Sequence, residues 1–586
     1  MKISGADLFV KALMEEKVDI LFAYPGGQAI ELFNALYGVE SIKVILSRHE
    51  QGLVHAADGY ARSTGRVGVC LVTSGPGATN LVTGIATANY DSVPLVCFTG
   101  QVPTYLIGND AFQEVDIVGI VRSISKYAIT VRNREDLGTI IKKAFYVAKS
   151  GKPGVVVVDL PKDIQQKLGS DLYPEQVEIR GYKPNTAVHS EQIRKALDCL
   201  NASRKPIFLL GGGVNISRAN KEMTLLAEKT GIPVITTIMG KGSIPTNHPL
   251  YVGNLGIHGS YAANNAINEC DVLFSIGVRF NDRITGKISE FAKHATIIHI
   301  DIDPASISRN IVVDIPIVAD ARNAIGALLD KSISLDIEDW KEQISSWKQL
   351  HPHDRSQNSV SGVTPQAIIH EINALFDNVI ITTDVGQNQL WTTQFLEITE
   401  TKQMLTSGGL GTMGYGFPAA MGAKLGNPKT DVISICGDGG MQMNIQEMAT
   451  AIVHELPIII CILNNGYLGN VRQWQEMFFS KRYSSTCMKR RESCPVICNT
   501  PSEDCPAYTP DFIRLAESYG AKGIRVQRVE DIKPALLEAK AAIKNPTVIE
   551  FIIEREENVW PIVPPGNSLA DMIVGGENRN AEQKVD

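Results

Sequence analysis

GDGGMQMNIQEMATAIVHELPIIICILNN, residues 437–465, follows the apolar run Asp431-Val-Ile-Ser-Ile-Cys436 and closes on a second, Leu456-Pro-Ile-Ile-Ile-Cys-Ile-Leu463. Short, near-continuous apolar runs mark strands buried on both faces, so the stretch predicts two parallel strands joined by a helix over about Asn444 to His454. Asp438 and Asn465 then meet at one sheet edge. Gly437, Gly439 and Gly440 let backbone N–H groups approach a phosphate, with the helix opening just beyond them. The Asp438 carboxylate, the Asn465 amide oxygen and a backbone carbonyl near Tyr467 are hard oxygen ligands, suited to Mg²⁺ completed by diphosphate oxygens and water. A lone Gly-Asp-Gly is ordinarily a strand-end turn. Paired with Asn-Asn at the end of the next strand, 27 positions on, it predicts half of a diphosphate site.

The 586 residues predict three or four domains, and 44% hydrophobic residues supply a core for each. A net charge of −7 leaves no electrostatic footprint for nucleic acid. Glu15 and Glu16 interrupt the N-terminal region where a signal peptide needs an apolar core. No uninterrupted apolar run approaches the roughly 18 residues of a membrane span, so a cytoplasmic location is expected.

The remaining chain alternates strand and helix patterns, predicting an α/β protein of three doubly wound, mostly parallel-sheet domains: 1–180, 190–345 and 362–560, with a tail over 561–586. Ser4 and Asp7 mark a helix start, and Val18–Ala23 is a strand that breaks into Tyr24-Pro-Gly-Gly27. Ser41–Ser47 leads into Arg48-His49-Glu50-Gln51, placing Glu50 at a strand's C-terminal end before a helix over Leu53–Arg62. An acid there is a helix cap or a catalyst. The plan repeats: Ser74-Gly-Pro-Gly77, a helix, and Val93-Pro-Leu-Val-Cys97 parallel Gly437–Gly440, its helix, and Leu456-Pro-Ile-Ile-Ile-Cys461. Between the repeats, three strand-like runs end in Gly211-Gly212-Gly213, in Gly277-Val-Arg279 and in Asp301, as in a dinucleotide site, although Gly-Gly-Gly also serves as a plain turn. Ser345–Ser361 reads as a linker.

The Gly-Asp-Gly and Asn-Asn pair resembles the signature of thiamine-diphosphate (ThDP) enzymes. His49-Glu50-Gln51 resembles the motif whose glutamate hydrogen-bonds the cofactor's pyrimidine ring and drives its self-activation. Over nearly its whole length the chain resembles the catalytic subunits of the acetohydroxyacid synthase (acetolactate synthase) family. The resemblance rests on Phe22–Gly27, Gly100–Pro103, Asp110–Gln113, Asp159–Lys162, Gly277–Gly286, Ser407–Gly416 and Val563–Pro565, in that order.

That resemblance implies transfer of a two-carbon unit from pyruvate to pyruvate or 2-ketobutyrate, in branched-chain amino-acid biosynthesis. It implies a homodimer or tetramer whose sites lie between subunits, with a small regulatory subunit as a further partner. Met413 would hold ThDP bent, where a core methionine is the alternative; Gln387 and Asn388 would contact its diphosphate. Gly27, Phe112, Gln113 and Lys162 would line the substrate side, although Lys162 equally suits a surface charge. Arg283 would grip a keto-acid carboxylate, and Trp474, otherwise a helix packing residue, would favour an ethyl group. FAD, taking no part in the chemistry, would lie against Gly211, Gly212, Gly213, Gly256, His258, Arg279, Asn281, Arg283, Asp301 and Asp320. Asn281 replaces the family's usual aspartate and Asn470 its usual methionine. A related oxidase, a catabolic FAD-free synthase and an inactive regulatory paralogue are the rival readings.

Cys70, Cys97, Cys436 and Cys461 fall in apolar strand-like runs, and Cys199 and Cys270 in helical segments, as reduced buried cysteines do. Cys487, Cys494, Cys498 and Cys505 crowd into an insert between Tyr483 and Asp511. They could hold zinc or an iron–sulfur cluster, form disulfides, or remain free thiols; their spacing lacks C-x₂-C pairs. Lys489, Arg490 and Arg491 beside them read as a solvated face or as an attractor of anionic substrate.

Overall fold

The computed structural model describes residues 2–184, 186–352, 362–502 and 504–575. Three six-stranded sheets carry the fold, and every strand pair whose register is described within them runs parallel. The first sheet runs Lys43–Leu46, Ile20–Ala23, Gly68–Val72, Leu95–Gln101, Val155–Pro161 and Tyr127–Thr130 across its width. The third runs Lys402–Leu405, Val379–Thr383, Asp431–Gly437, Ile459–Asn464, Thr547–Ile552 and Lys522–Val526. Both follow the same order, with the first two strands in sequence exchanged and the last two exchanged, so the repeat read in the sequence is a repeat of topology. The central sheet differs. It runs Tyr251–Asn254, Val234–Thr236, Pro206–Leu210, Val272–Ile276, Thr296–Asp301 and Ile315–Val318, the 3-2-1-4-5-6 order of dinucleotide-binding folds.

Two compact units result. One joins residues 1–184, 378–389 and 405–556, and so contains the first sheet and five of the six strands of the third; the other joins 185–377, 390–404 and 557–586 around the central sheet. In the first unit the central strands are wholly buried; Val155–Pro161 has no residue open to solvent. Each fully buried valine or leucine there contributes ~1.5–3 kcal/mol. The two sheets of this unit share a core, because the helices Glu50–Thr64 and Gly416–Gly426 pack backbone to backbone. A Cβ on Gly422 would lie 1.7 Å from the Ala56 carbonyl oxygen, and one on Gly59 2.1 Å from that of Ala419. Beside this contact, Arg62, its side chain 10% exposed, bonds Asp58 at 2.6 Å and Asp91 at 3.0 Å, and Asp58 also accepts the Tyr415 hydroxyl at 2.7 Å.

Ser4 and Asp7 form a reciprocal cap on the helix Gly5–Glu15, as expected. The helix expected over Asn444–His454 is present as a 3₁₀ turn at Ile445–Glu447 that continues into Met448–Val453, and the glycine turn before it coils into a short helix of its own, Asp438–Met441. Two expectations are corrected. The helix expected from Leu53 begins at Glu50 and runs to Thr64, because His49 caps it. The linker expected from Ser345 is helical as far as Leu350, where buried Trp340 and Ile344 anchor the helix; residues 353–361 lie outside the described residues. Among the described residues, no helix is long and apolar enough to cross a membrane.

Candidate active site

In the first sheet the predicted residues gather at the C-terminal strand ends, where open parallel sheets place their ligands. Glu50 opens its helix and is 8% exposed; its Oε2 accepts a bond from Asn80 Nδ2 at 2.9 Å. A Cβ on Gly77 would stand 3.4 Å from the other Glu50 oxygen, so this face of the carboxylate abuts the Gly75–Gly77 turn. Gly75 has φ +58°, and a Cβ there would meet the Gln113 carbonyl at 2.9 Å. Gln113 is thereby set beside the same turn, while Phe112 is 85% exposed. Lys162 Nζ donates to the Gly27 carbonyl at 3.2 Å, and the N–H of Gln28 donates to Thr73 Oγ1 at 3.3 Å. Glu447, from the third sheet's portion of the unit, reaches the main chain of the two residues before Glu50. Its Oε1 accepts the N–H groups of Arg48 and His49 at 3.0 and 2.9 Å, and its Oε2 the Thr450 hydroxyl at 2.7 Å.

The second cluster lies at the ends of the third sheet's strands. Gly437 stands opposite Leu463 in the parallel register, which brings Asp438 and Asn465 to one edge. Asp438 Oδ2 accepts the N–H of Gly466 at 3.1 Å, and Asn465 Oδ1 that of Tyr467 at 3.0 Å. Burial pushes the Asp438 carboxyl up to about 7, against the opposing bonds from the Tyr508 hydroxyl and nearby main-chain N–H groups. A buried carboxylate flanked by an amide oxygen and main-chain carbonyls is a donor set that fits Mg²⁺. Asn465 Nδ2 donates to Gln387 Oε1 at 3.2 Å, and Gln387 Nε2 to Gln473 Oε1 at 3.1 Å, so Gln387 joins the cluster. Asn388 instead spends its amide on the carbonyls of Asp384 and Ile435, at 2.9 and 3.1 Å. Met413 reaches over the glycine turn; its methyl is 3.6 Å from where a Cβ on Gly439 would lie. Trp474 and Asn470 share the helix Gly469–Phe478 one turn apart, and Asn470 Oδ1 is buried without a hydrogen-bond partner.

Sequence reading missed Asp384. It follows the strand Val379–Thr383, and burial pushes its carboxyl up to about 6 although the N–H groups of Val385, Gly414 and Gly416 all donate to it. It also dictates Gly440, where a Cβ would fall 2.3 Å from Asp384 Oδ1. The available signal was the acid of Thr382-Thr-Asp384 at a strand end.

In the other unit, Gly211-Gly-Gly213 follows the strand Pro206–Leu210 and opens the helix Gly212–Ile216. Gly211 serves the close approach of two strand ends, since a Cβ there would meet the Gly277 carbonyl at 2.1 Å. Asp301 ends its strand and accepts the N–H of Asp303 at 2.8 Å; Asp320 caps the helix Ala321–Leu329. His258 Nδ1 lies 3.1 Å from the Pro561 carbonyl, and burial pushes its imidazole down to about 4. Gly256 has φ +125°, and a Cβ there would strike the Arg283 carbonyl at 2.3 Å. Arg279 is half-buried, whereas the Arg283 side chain is exposed and lies 3.7 Å from Asp282. Asn281 Oδ1 is buried without a partner, an acceptor site that a bound donor would satisfy. The glycine turn, the strand-end acid and this orphan oxygen fit a dinucleotide such as FAD.

Three matches to the thiamine pyrophosphate enzyme family divide the chain: the N-terminal TPP binding domain over residues 3–120, the central domain over 193–328, and the C-terminal TPP binding domain over 384–551. A probable acetolactate synthase large subunit of Methanocaldococcus jannaschii is 46% identical, covering 97% of this chain and 95% of that protein. One from Methanococcus aeolicus is 45% identical over 97% and 95%. The acetolactate synthase isozyme 3 large subunit of Escherichia coli is 42% identical over 98% and 99%. The chain belongs to the acetolactate synthase large-subunit family. It is a thiamine-diphosphate-dependent enzyme of the carboligase type, built on that family's three α/β domains.

This acetolactate synthase family member also carries the cysteine-rich insert. Its four cysteines are half-buried free thiols, and among the described residues no three His, Cys, Asp or Glu side chains group to hold a metal ion. The zinc or iron–sulfur expectation is therefore without a assembled ligand set. Val563–Pro565 packs within the central unit, where the N–H of Val563 donates to the Ile257 carbonyl at 2.8 Å.

Proposed function

We propose that this enzyme makes 2-acetolactate from two molecules of pyruvate, and 2-aceto-2-hydroxybutyrate from pyruvate and 2-ketobutyrate. The observation that carries the reading is the pairing of buried Glu50 at one set of strand ends with Asp438 and Asn465 at the other, in a chain of this family. Bound there, thiamine diphosphate would supply the nucleophilic carbon and the electron sink for decarboxylation and two-carbon transfer. Asp438, Asn465 and the Tyr467 carbonyl would hold Mg²⁺, and the Gly437–Gly440 N–H groups and Gln387 the diphosphate. Asn388 would act at one remove, by fixing the strand end at Ile435.

Glu50 would hold a proton against the pyrimidine ring, and Asn80 fixes the carboxylate for that task. Met413 would keep the cofactor bent above the glycine turn. Gly27, Gln113 and Lys162 would line the substrate side, Arg283 would hold the acceptor carboxylate and Trp474 its alkyl group. FAD would occupy the central unit at Gly211–Gly213, Gly256, His258, Arg279, Asn281, Arg283, Asp301 and Asp320, without redox work. The domains would divide at 1–180, 190–345 and 362–560, with the tail 561–586.

The enzyme would work in the cytoplasm, in valine, leucine and isoleucine biosynthesis, as a homodimer or larger. The relatives' designation as large subunits supports a small regulatory partner. The test is Glu50→Gln assayed at saturating thiamine diphosphate. Acetolactate formation should fall at least about hundredfold, the range of positioned proton transfer; turnover near that of the parent would remove Glu50 from the reaction.

A further inference from the structure

Arg555 joins features of the cysteine-rich insert to the metal-site loop. Its Nη1 donates to Cys505 Sγ at 3.2 Å and its Nη2 to Cys487 Sγ at 3.6 Å, so two thiols 18 residues apart converge on one guanidinium. Its Nε lies 3.4 Å from the Asn465 carbonyl, and the guanidinium stands 4.7 Å above the Tyr467 ring. Cys487 is tied to the same loop by main-chain bonds on either side: Leu468 N–H to the Thr486 carbonyl at 2.9 Å, and Met488 N–H to the Gly466 carbonyl at 2.8 Å. The other two cysteines do not bond Arg555, although Cys498 also lies near Tyr467. Cys494 Sγ accepts the N–H of Arg491 at 3.3 Å, and Cys498 points to the Thr500 carbonyl at 3.7 Å.

We propose that Cys487 and Cys505 form an oxidisable dithiol site, which takes a small disulfide as its reagent and closes to an internal disulfide beside the metal-site loop. A guanidinium stabilises a thiolate, the form that attacks disulfides. Cys505 is the attacking sulfur. The N–H of Ser502 reaches it at 3.4 Å, and that bond together with Arg555 holds its thiol below the usual range. The Cys505 thiolate attacks one sulfur of the reagent RSSR, giving a Cys505–SR mixed disulfide and releasing RS⁻. Cys487 then attacks the Cys505 sulfur, loses its proton to solvent and expels the second RS⁻. The two thiols lose two electrons and two protons, and RSSR becomes two RSH. The half-buried setting of both sulfurs admits a small reagent.

The experiment treats the reduced holoenzyme with excess oxidised glutathione and maps the tryptic peptides; cleavage at Lys489, Arg490 and Arg491 separates the two cysteines. The expected product is a Cys487–Cys505 crosslink that dithiothreitol reverses. It should form equally in Cys494→Ser and Cys498→Ser, be absent in Cys505→Ser, and form about tenfold more slowly in Arg555→Gln. A crosslink of Cys494 to Cys498, or mixed disulfides spread evenly over the four, would overturn the proposal. So would stoichiometric zinc or iron in anaerobically purified protein that Cys494→Ser loses.

Discussion

Glu447→Ala should both destabilise the first unit and disarm Glu50. The Glu447 carboxylate is the buried acceptor for the N–H groups of Arg48 and His49, the two peptides leading directly into Glu50, and for the Thr450 hydroxyl. Alanine leaves two half-buried N–H groups without their acceptor, at roughly 1–3 kcal/mol each. Removing the side chain from beside Gly52 adds a cavity, so the expected loss is ~4 kcal/mol. Glu447→Gln keeps the one oxygen that both N–H groups reach, loses the charge, which about halves each bond, and turns the oxygen facing Thr450 into a donor that the Thr450 hydroxyl can accept. Its loss should be ~1–2 kcal/mol. Displacing a positioned catalytic group by an ångström costs about hundredfold, so the alanine variant should lose that much turnover and the glutamine variant only several-fold. Urea titration followed by circular dichroism measures the first quantity, and acetolactate formation at saturating thiamine diphosphate and Mg²⁺ the second. An alanine variant within ~1 kcal/mol and twofold of the parent would refute the idea that Glu447 fixes the entry to the Glu50 helix.

Three further outcomes are expected. Trp474→Leu should weaken the preference for 2-ketobutyrate over pyruvate by about fourfold or more, the worth of one methylene at ~0.8 kcal/mol; an unchanged product ratio in mixed-substrate assays would free Trp474 from selectivity. Gly440→Ala should weaken thiamine diphosphate binding at least about tenfold, because the new Cβ would meet Asp384 Oδ1 at 2.3 Å; cofactor quenching of tryptophan fluorescence measures it, and parental affinity would contradict the packing argument. Burial pushes the Asp159 carboxyl up from 3.8 to about 7, despite bonds from Thr99, Gln101 and Thr130. The folded state therefore binds this proton more tightly than the unfolded chain, so its contribution is full below pH 4 and is lost as pH rises to about 7. At ~1.4 kcal/mol per pH unit the change is roughly 4 kcal/mol. Asp159→Asn should flatten the stability profile across that window, and an unaltered slope in urea titrations would show that Asp159 does not titrate there.

The parallel α/β class and the internal repeat were legible because apolar runs such as Asp431–Cys436 and Gly154–Pro161 have one physical use, as strands buried on both faces. Asp438 and Asn465 were legible because polar residues at the ends of such runs mark a sheet's ligand edge. Asp384 and Glu447 were not. Their partners are main-chain N–H groups, at Gly414 and Gly416 for one and at Arg48 and His49 for the other, and backbone donors carry no signature in the sequence. The short helix Asp438–Met441 escaped for a related reason: its glycines read as a turn, and the close approach of Leu468 and Asp384 to Gly439 and Gly440 comes from far along the chain. The shared core of the first and third sheets was equally hidden, since Gly59 and Gly422 read as ordinary helix glycines until their helices touch.

The most direct measurement incubates the purified protein with pyruvate, 2-ketobutyrate, thiamine diphosphate and Mg²⁺, without an electron acceptor, and identifies the products by mass spectrometry. The account predicts 2-acetolactate and 2-aceto-2-hydroxybutyrate together, both formed at least about hundredfold more slowly by Glu50→Gln. Acetyl phosphate or acetate formed only when an electron acceptor is added, or no carbon–carbon bond formation at all, would contradict it.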